Sequence, residues 1–233
     1  MKLRDARALV TGGSEGIGKA IAAALRAEGA EVGITGRRKE PLEATASELG
    51  AQALSGDVSN EADVKRTVAA FLERQGRIDI LVNNAGVGYF APLAELDLRR
   101  FNELFATNVT GAMLMAREVA PHFIHQASGH LINISSTSGL SGGAGSTAYS
   151  GSKFALKGMT ECWRAELRRH NVRVMLVNPS EVLTDFAGKL GREQEASQKK
   201  LRGQEIADAV IGALKLDDRG FIPEFSVFAT NPF

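Results

Sequence analysis

Two groups of residues in this 233-residue sequence combine reactive types with a meaningful spacing. Tyr149 and Lys153 stand four apart, so on a helix both side chains project from one face. A tyrosine phenol titrates near ~10, too high for an efficient base at neutral pH. A neighbouring ammonium favours the phenolate and lowers that value, giving a group that can exchange a proton with an alcohol or carbonyl oxygen. The second group is Thr11-Gly12-Gly13-Ser14-Glu15-Gly16-Ile17-Gly18. Gly12 permits a tight turn, Gly16 lets a pyrophosphate approach the backbone, and Gly18 lets a helix and a strand pack closely. Each group has a plain structural alternative: a surface helix carrying Tyr and Lys, and an ordinary strand-to-helix turn.

The elements around them favour the chemical readings. Arg7 to Thr11 reads as an apolar strand entering the glycines, and Gly16 to Glu28 as a helix with Ile17, Ile21, Ala24 and Leu25 on one face. The first-turn N–H groups of such a helix suit a phosphate. Strands follow at Val32–Thr35, Ala51–Ser55, Ile78–Val82, His130–Ser135, Val172–Val177 and Phe225–Phe228. Helices alternate with them: one with Pro41 in its first turn ending at Gly50, one capped by Ser59, a long tract from Leu96 to Ala127 kinked at Pro121, then Ser146–His170 and Gln204–Leu216. Strict alternation predicts a doubly wound α/β parallel sheet with helices on both faces, in one domain spanning residues 1–233. Asp185 to Gly203 is polar and predicts a loop or mobile short helix.

The glycine spacing, Gly-x-x-x-Gly-x-Gly, resembles that of the short-chain dehydrogenase/reductase family. Five further segments agree in order: Asn83-Asn84-Ala85-Gly86, Asn108-Val109-Thr110-Gly111, Ile132 to Ser136, Tyr149-x-x-x-Lys153, and Asn178-Pro179 with Val182 and Thr184. The last departs from the family's Asn-Pro-Gly by having Ser180. The resemblance implies a Rossmann-like sheet of about seven strands and a nicotinamide-dependent interconversion of ketone or aldehyde with alcohol. It assigns Tyr149 as acid/base, helped by Lys153 and the positive charge of an oxidised nicotinamide. Ser136 polarises the carbonyl, while Ser135, on the alternate face, supports the strand. Lys153 also holds the nicotinamide ribose, and Asn108 orients a water linking Lys153 to solvent. Cofactor-binding positions by the same resemblance are Gly12, Ser14, Glu15, Gly16, Ile17, Gly18, Arg37, Arg38, Asp57, Val58, Asn84, Ala85, Gly86, Pro179, Val182 and Thr184, with Tyr149 and Lys153.

Cofactor choice follows from the end of the second strand. A binder of unphosphorylated cofactor places a carboxylate there to hold the ribose 2′-hydroxyl. Here stand Gly36, Arg37 and Arg38, which predict NADP(H), with Glu15 as the opposing feature because it could repel a phosphate or pair with an arginine. A 3-oxoacyl-carrier-protein reductase or a small carbonyl reductase fits these features. The rival is a redox-silent dinucleotide sensor on the same fold.

Composition narrows the classes. Lys plus Arg number 28 and Asp plus Glu 27, so no broad basic field exists to bind nucleic acid. Cys162 is the single cysteine, which excludes an intramolecular disulfide and a cysteine-rich zinc site. No run approaches the ~20 apolar residues of a membrane span, and a cytoplasmic location is expected. Glu118, His122 and His125 share one helix face but lack a fourth ligand, so a solvated face is expected and no metal. His170 is expected at its helix terminus, and Cys162 as a packing residue. Gly139, Gly142, Gly143 and Gly145 predict an open wall beside a small-molecule substrate. Phe154, Leu156, Met159, Trp163 and Leu167 exceed one apolar stripe, which predicts a homodimer or homotetramer.

Overall fold

The computed structural model describes residues 2–183 and 199–231. Seven strands form one parallel sheet: β1 (Arg7–Thr11), β2 (Glu31–Gly36), β3 (Gln52–Ser55), β4 (Ile80–Asn83), β5 (Gly129–Ile134), β6 (Val172–Pro179) and β7 (Glu224–Val227), in the order β3-β2-β1-β4-β5-β6-β7. Among the described residues the α-helices are α1 (Gly16–Ala27), α2 (Lys39–Leu49), α3 (Glu61–Gln75), α4 (Leu98–Phe105), α5 (Ala112–Gln126), α6 (Thr147–Leu167) and α7 (Gly203–Leu214).

Period-two alternation along each strand feeds two cores. Ala8 and Val10 of β1, Ile80 and Val82 of β4, and Ile132 and Ile134 of β5 pack with α1, α2 and α7. Leu9, Leu81 and Leu131 point the other way, onto α3 and α5 through residues such as Phe71, Met115 and Phe123. Both faces are covered, which is why these strands read as unbroken apolar runs. After β3, at one edge, the chain returns to the centre of the sheet and reverses direction of growth, so β1 and β4 are neighbours paired Ala8↔Ile80, Leu9↔Leu81 and Val10↔Val82. Ligand crevices open at such a reversal, beyond the carboxyl ends of the strands.

Three local expectations need correction. The cap of α3 is Asn60, whose Oδ1 accepts from the N–H groups of Ala62 (2.9 Å) and Asp63 (3.1 Å), while the Ser59 hydroxyl turns back to Asp57 at 2.7 Å. The tract from Leu96 to Ala127 does not break at Pro121. The helix α5 runs through that proline, which is exposed together with Arg117, so water can serve the carbonyl that loses its partner. The tract is not one α-helix, because a π-helical turn at Ala106–Gly111 divides it into α4 and α5. Cys162 is exposed rather than packed.

On α6, Leu156 and Leu167 are buried, Met159 and Trp163 pack partly against the cores, and only Phe154 of the five apolar residues stands 46% exposed. The surplus apolar surface is therefore one ring. Among the described residues no group of His, Cys, Asp and Glu could hold a metal ion, and no helix is long and apolar enough to cross a membrane. Most of the 185–203 segment lies outside the described residues.

Candidate active site

The first glycine turn is built by contact as much as by conformation. Gly12 has φ +63°, and a Cβ there would meet Ala85 Cα at 2.9 Å. A Cβ on Gly18 would lie 2.3 Å from the Gly12 oxygen and 2.4 Å from Asn84 Nδ2. The space Gly18 leaves is used by Asn84, whose Nδ2 donates to the carbonyls of Thr11 (3.0 Å) and Gly12 (3.1 Å). Thr11 answers from β1: its Oγ1 accepts from the N–H groups of Asn84 and Ala85, both at 3.0 Å. Thr11 was missed in the sequence, although a buried hydroxyl ending a strand before a glycine turn is a legible signal.

The helix α1 begins at Gly16 with no side-chain cap on its first-turn N–H groups and no acidic residue in that turn. Such a helix end has donors and a positive dipole for an anion. At the neighbouring strand end Arg38 pairs with Glu15 at 2.6 Å, and Arg37 stands 3.8 Å from Asp57 Oδ2. The two alternatives left open for Glu15 are thereby separated, since its carboxylate faces a guanidinium.

A cleft of about 950 Å³ runs over the carboxyl ends of the strands. Every expected cofactor position lines it except two: Gly18, buried beneath the turn, and Thr184, which lies outside the described residues. Ser136, Tyr149 and Lys153 line the same cleft. A dinucleotide fits this site: glycines where a Cβ would intrude, helix-end donors without a side-chain cap, and arginines at one end with Tyr149 and Lys153 at the other.

The reacting end is held by three elements. Ser136 follows β5, accepts from the Ser138 N–H at 3.1 Å, and bonds to the Tyr149 phenol, which favours the phenolate. Burial outweighs that bond and raises the Tyr149 pKa above 10.0. The phenol is therefore protonated at neutral pH, the form of a proton donor. Lys153 is buried, its ammonium donating to the Ile134 carbonyl at 2.9 Å and standing 5.7 Å from the Tyr149 ring centre. Desolvation lowers its pKa from 10.5 to about 8, leaving it mostly charged near pH 7. Ser135 sits beneath, its hydroxyl reaching the Lys153 carbonyl at 3.5 Å.

Asn108 lies in the π-helical turn, a feature common at functional sites. Its amide exchanges two bonds with the Val87 backbone (2.8 and 2.9 Å) and donates to Ser152 Oγ at 3.1 Å. That side chain holds the loop after β4. A buried ladder missed in the sequence lies behind it: Asn83 donates to Asn133 (3.0 Å), which donates to Thr160 of α6 (2.8 Å). The ladder ties α6 to the centre of the sheet. Also missed was Phe90, whose ring centre is 5.3 Å from that of Tyr149.

The family model described as short chain dehydrogenase matches residues 6–195. The chain belongs to the short-chain dehydrogenase/reductase family. As an oxidoreductase of this family it is 32% identical over 215 residues to an uncharacterized oxidoreductase of Staphylococcus epidermidis, covering 91% of this chain and 92% of the relative. Among solved structures, an alcohol dehydrogenase from the archaeon Thermococcus sibiricus complexed with 5-hydroxy-NADP superimposes with TM-score 0.89 at 29% identity over 97% of both chains. A 3-ketoacyl-(acyl-carrier-protein) reductase from Brucella melitensis complexed with NADH gives 0.91 at 28% identity over 98% of both. The chain therefore shares its fold with proteins whose complexes hold phosphorylated and unphosphorylated nicotinamide cofactors.

Proposed function

We propose that this oxidoreductase is an NADP(H)-preferring carbonyl reductase, converting a ketone or aldehyde to an alcohol with Tyr149 as the proton donor. The observation that carries the reading is the protonated, buried phenol bonded to Ser136 and set near Lys153 at one end of the cleft, with the glycine turn and Arg37 at the other. Bound there, the reduced nicotinamide supplies a hydride to the carbonyl carbon. Tyr149 gives its proton to the carbonyl oxygen, and the Ser136 hydroxyl donates to the same oxygen as negative charge develops. The Lys153 ammonium then favours the phenolate left behind.

Gly12, Gly16 and Gly18 would shape the pyrophosphate cradle, with Ser14, Ile17 and the first-turn N–H groups of α1 beside it. Asp57 and Val58, following β3, would take the adenosine, Asn84, Ala85 and Gly86 the middle of the cofactor, and Pro179 and Val182 the nicotinamide. Substrates of the 3-oxoacyl or small-carbonyl class suit the site. An assembly of two or four copies through α5 and α6 is part of the same reading, supported by the exposed Phe154 (46%) and Ile124 (40%); sedimentation velocity at micromolar concentration tests it, and a monomer refutes it.

Consumption of NADPH with a panel of diketones and β-ketoesters is the direct test. Tyr149→Phe should abolish reduction with the NADPH dissociation constant nearly unchanged, because only the transferable proton is lost. Near-normal reduction in that variant overturns the mechanism. Cofactor binding with no turnover of any carbonyl by the wild type would mark a redox-silent sensor instead.

A further inference from the structure

The loop leaving β4 divides its side chains between two sides. Val87, Tyr89 and Ala91 pack into an apolar cluster that also holds the Tyr149 ring. Phe90, between two of them, turns to the cleft. Apart from Tyr149 it supplies the one aromatic ring among the described residues lining that cleft.

The loop is fixed on both sides of this ring. Val87 is held by the Asn108 amide. Tyr89 is buried, its hydroxyl accepting from the Asp97 N–H at 2.7 Å and its ring lying 4.2 Å beneath the Arg100 guanidinium. The Ala91 N–H donates to the Gly145 carbonyl at 2.9 Å, so the glycine-rich stretch braces the loop. Phe90 therefore presents its ring in a set place, tilted 41° against Tyr149 with centres 5.3 Å apart. Tilted rings at this separation attract beyond the area they bury, and a third flat group can join them on the open side. Of the other residues lining the cleft here, Thr137, Ser138 and Glu181 are small or polar, and Val87, Ile134, Pro179 and Val182 are aliphatic, so none offers a flat ring.

We propose that Phe90 is the specificity-determining residue of this site, selecting carbonyl substrates with an aryl or similarly flat apolar arm next to the carbonyl. This rests on the reading of Tyr149 as proton donor, because the arm is placed by the ring that packs on that phenol. Wall and proton donor are in contact, so a carbonyl delivered to Tyr149 brings its nearer substituent against Phe90. Short hydrophilic carbonyls would leave the ring facing water and gain nothing from it.

The test uses matched pairs: ethyl benzoylacetate against ethyl acetoacetate, and 1-phenyl-1,2-propanedione against 2,3-butanedione. The wild type should favour the phenyl member by about tenfold or more in kcat/KM, and Phe90→Ala should bring the ratio within about threefold, chiefly through KM. Phe90→Leu, which keeps an apolar side chain and guards against a folding defect, should give an intermediate ratio. An equal ratio in wild type and Phe90→Ala, or a wild-type preference for the methyl member, overturns the assignment. Calorimetric binding of the same ketones with NADP+ present needs no turnover. Failure of reduction then counts against the proposed reaction, while the binding ratio between wild type and Phe90→Ala still decides the role of Phe90.

Discussion

Replacing Arg37 by Ala removes the guanidinium proposed to hold a 2′-phosphate, and the surrounding ion pairs set the size of the effect. A hydrogen bond to a charged group contributes about 1.5–3 kcal/mol. Arg37 must first leave Asp57 Oδ2, 3.8 Å away, and an exposed pair of that kind is worth at most about 1 kcal/mol. Its release disturbs little else, because the Ser59 turn hangs on the other carboxylate oxygen, Oδ1. The difference, about 0.5–2 kcal/mol, is about 2- to 30-fold in affinity at 1.36 kcal/mol per tenfold. Titrating NADPH and NADH into wild type and Arg37→Ala by cofactor fluorescence should show a preference of that size in the wild type and its loss in the variant. Added salt should erode the preference, since both partners face solvent. Glu15→Gln should act in the opposite sense, freeing Arg38 from its 2.6 Å partner and tightening NADPH but not NADH. Equal affinities in the wild type, or an unchanged ratio in Arg37→Ala, would refute the assignment.

Ser136→Ala should lower turnover by about 10²-fold or more if its hydroxyl stabilises developing charge, whereas full activity there with loss in Ser135→Ala would show that the wrong serine has been assigned. Gly18→Ala puts a methyl group 2.3 Å from the Gly12 oxygen and displaces Asn84, so urea unfolding should show a loss of about 1–3 kcal/mol together with weakened cofactor binding; an unchanged midpoint would contradict the close packing. His130 is buried on β5, where desolvation foremost and then Arg173 push its pKa from 6.5 to about 4. The folded state thus binds fewer protons than the unfolded one between these values, and its stability should fall as the pH drops from about 6.5 through 4, by about 3 kcal/mol in full. His130→Gln should flatten that acid limb in urea unfolding midpoints; an identical pH dependence would remove His130 as its cause.

The order of strands and helices, the glycine turn and the Tyr149–Lys153 pair were all legible in the sequence, for one reason. Each depends on residues within a few positions of one another, where the periods of helix and strand and the conformational freedom of glycine act directly. Tertiary structure decided what depends on meeting across elements. The contact of Asn83 with Asn133 exists because β4 and β5 are neighbours, and nothing local in either strand records that adjacency. The pairing of Glu15 with Arg38 spans 23 residues and settles an ambiguity that the two residue types alone left open. The π-helical turn at Ala106–Gly111 widens the helix by one residue and presents Asn108 to Val87; its sequence looks like any amphipathic stretch, so nothing local announces it. Phe90 reads as a lone aromatic in a loop until the fold brings it to Tyr149, 59 positions away in the chain. The Tyr149 pKa followed the same rule. Spacing placed a lysine beside the phenol, but only the packed site shows that burial raises the phenol's pKa and that Ser136 opposes it.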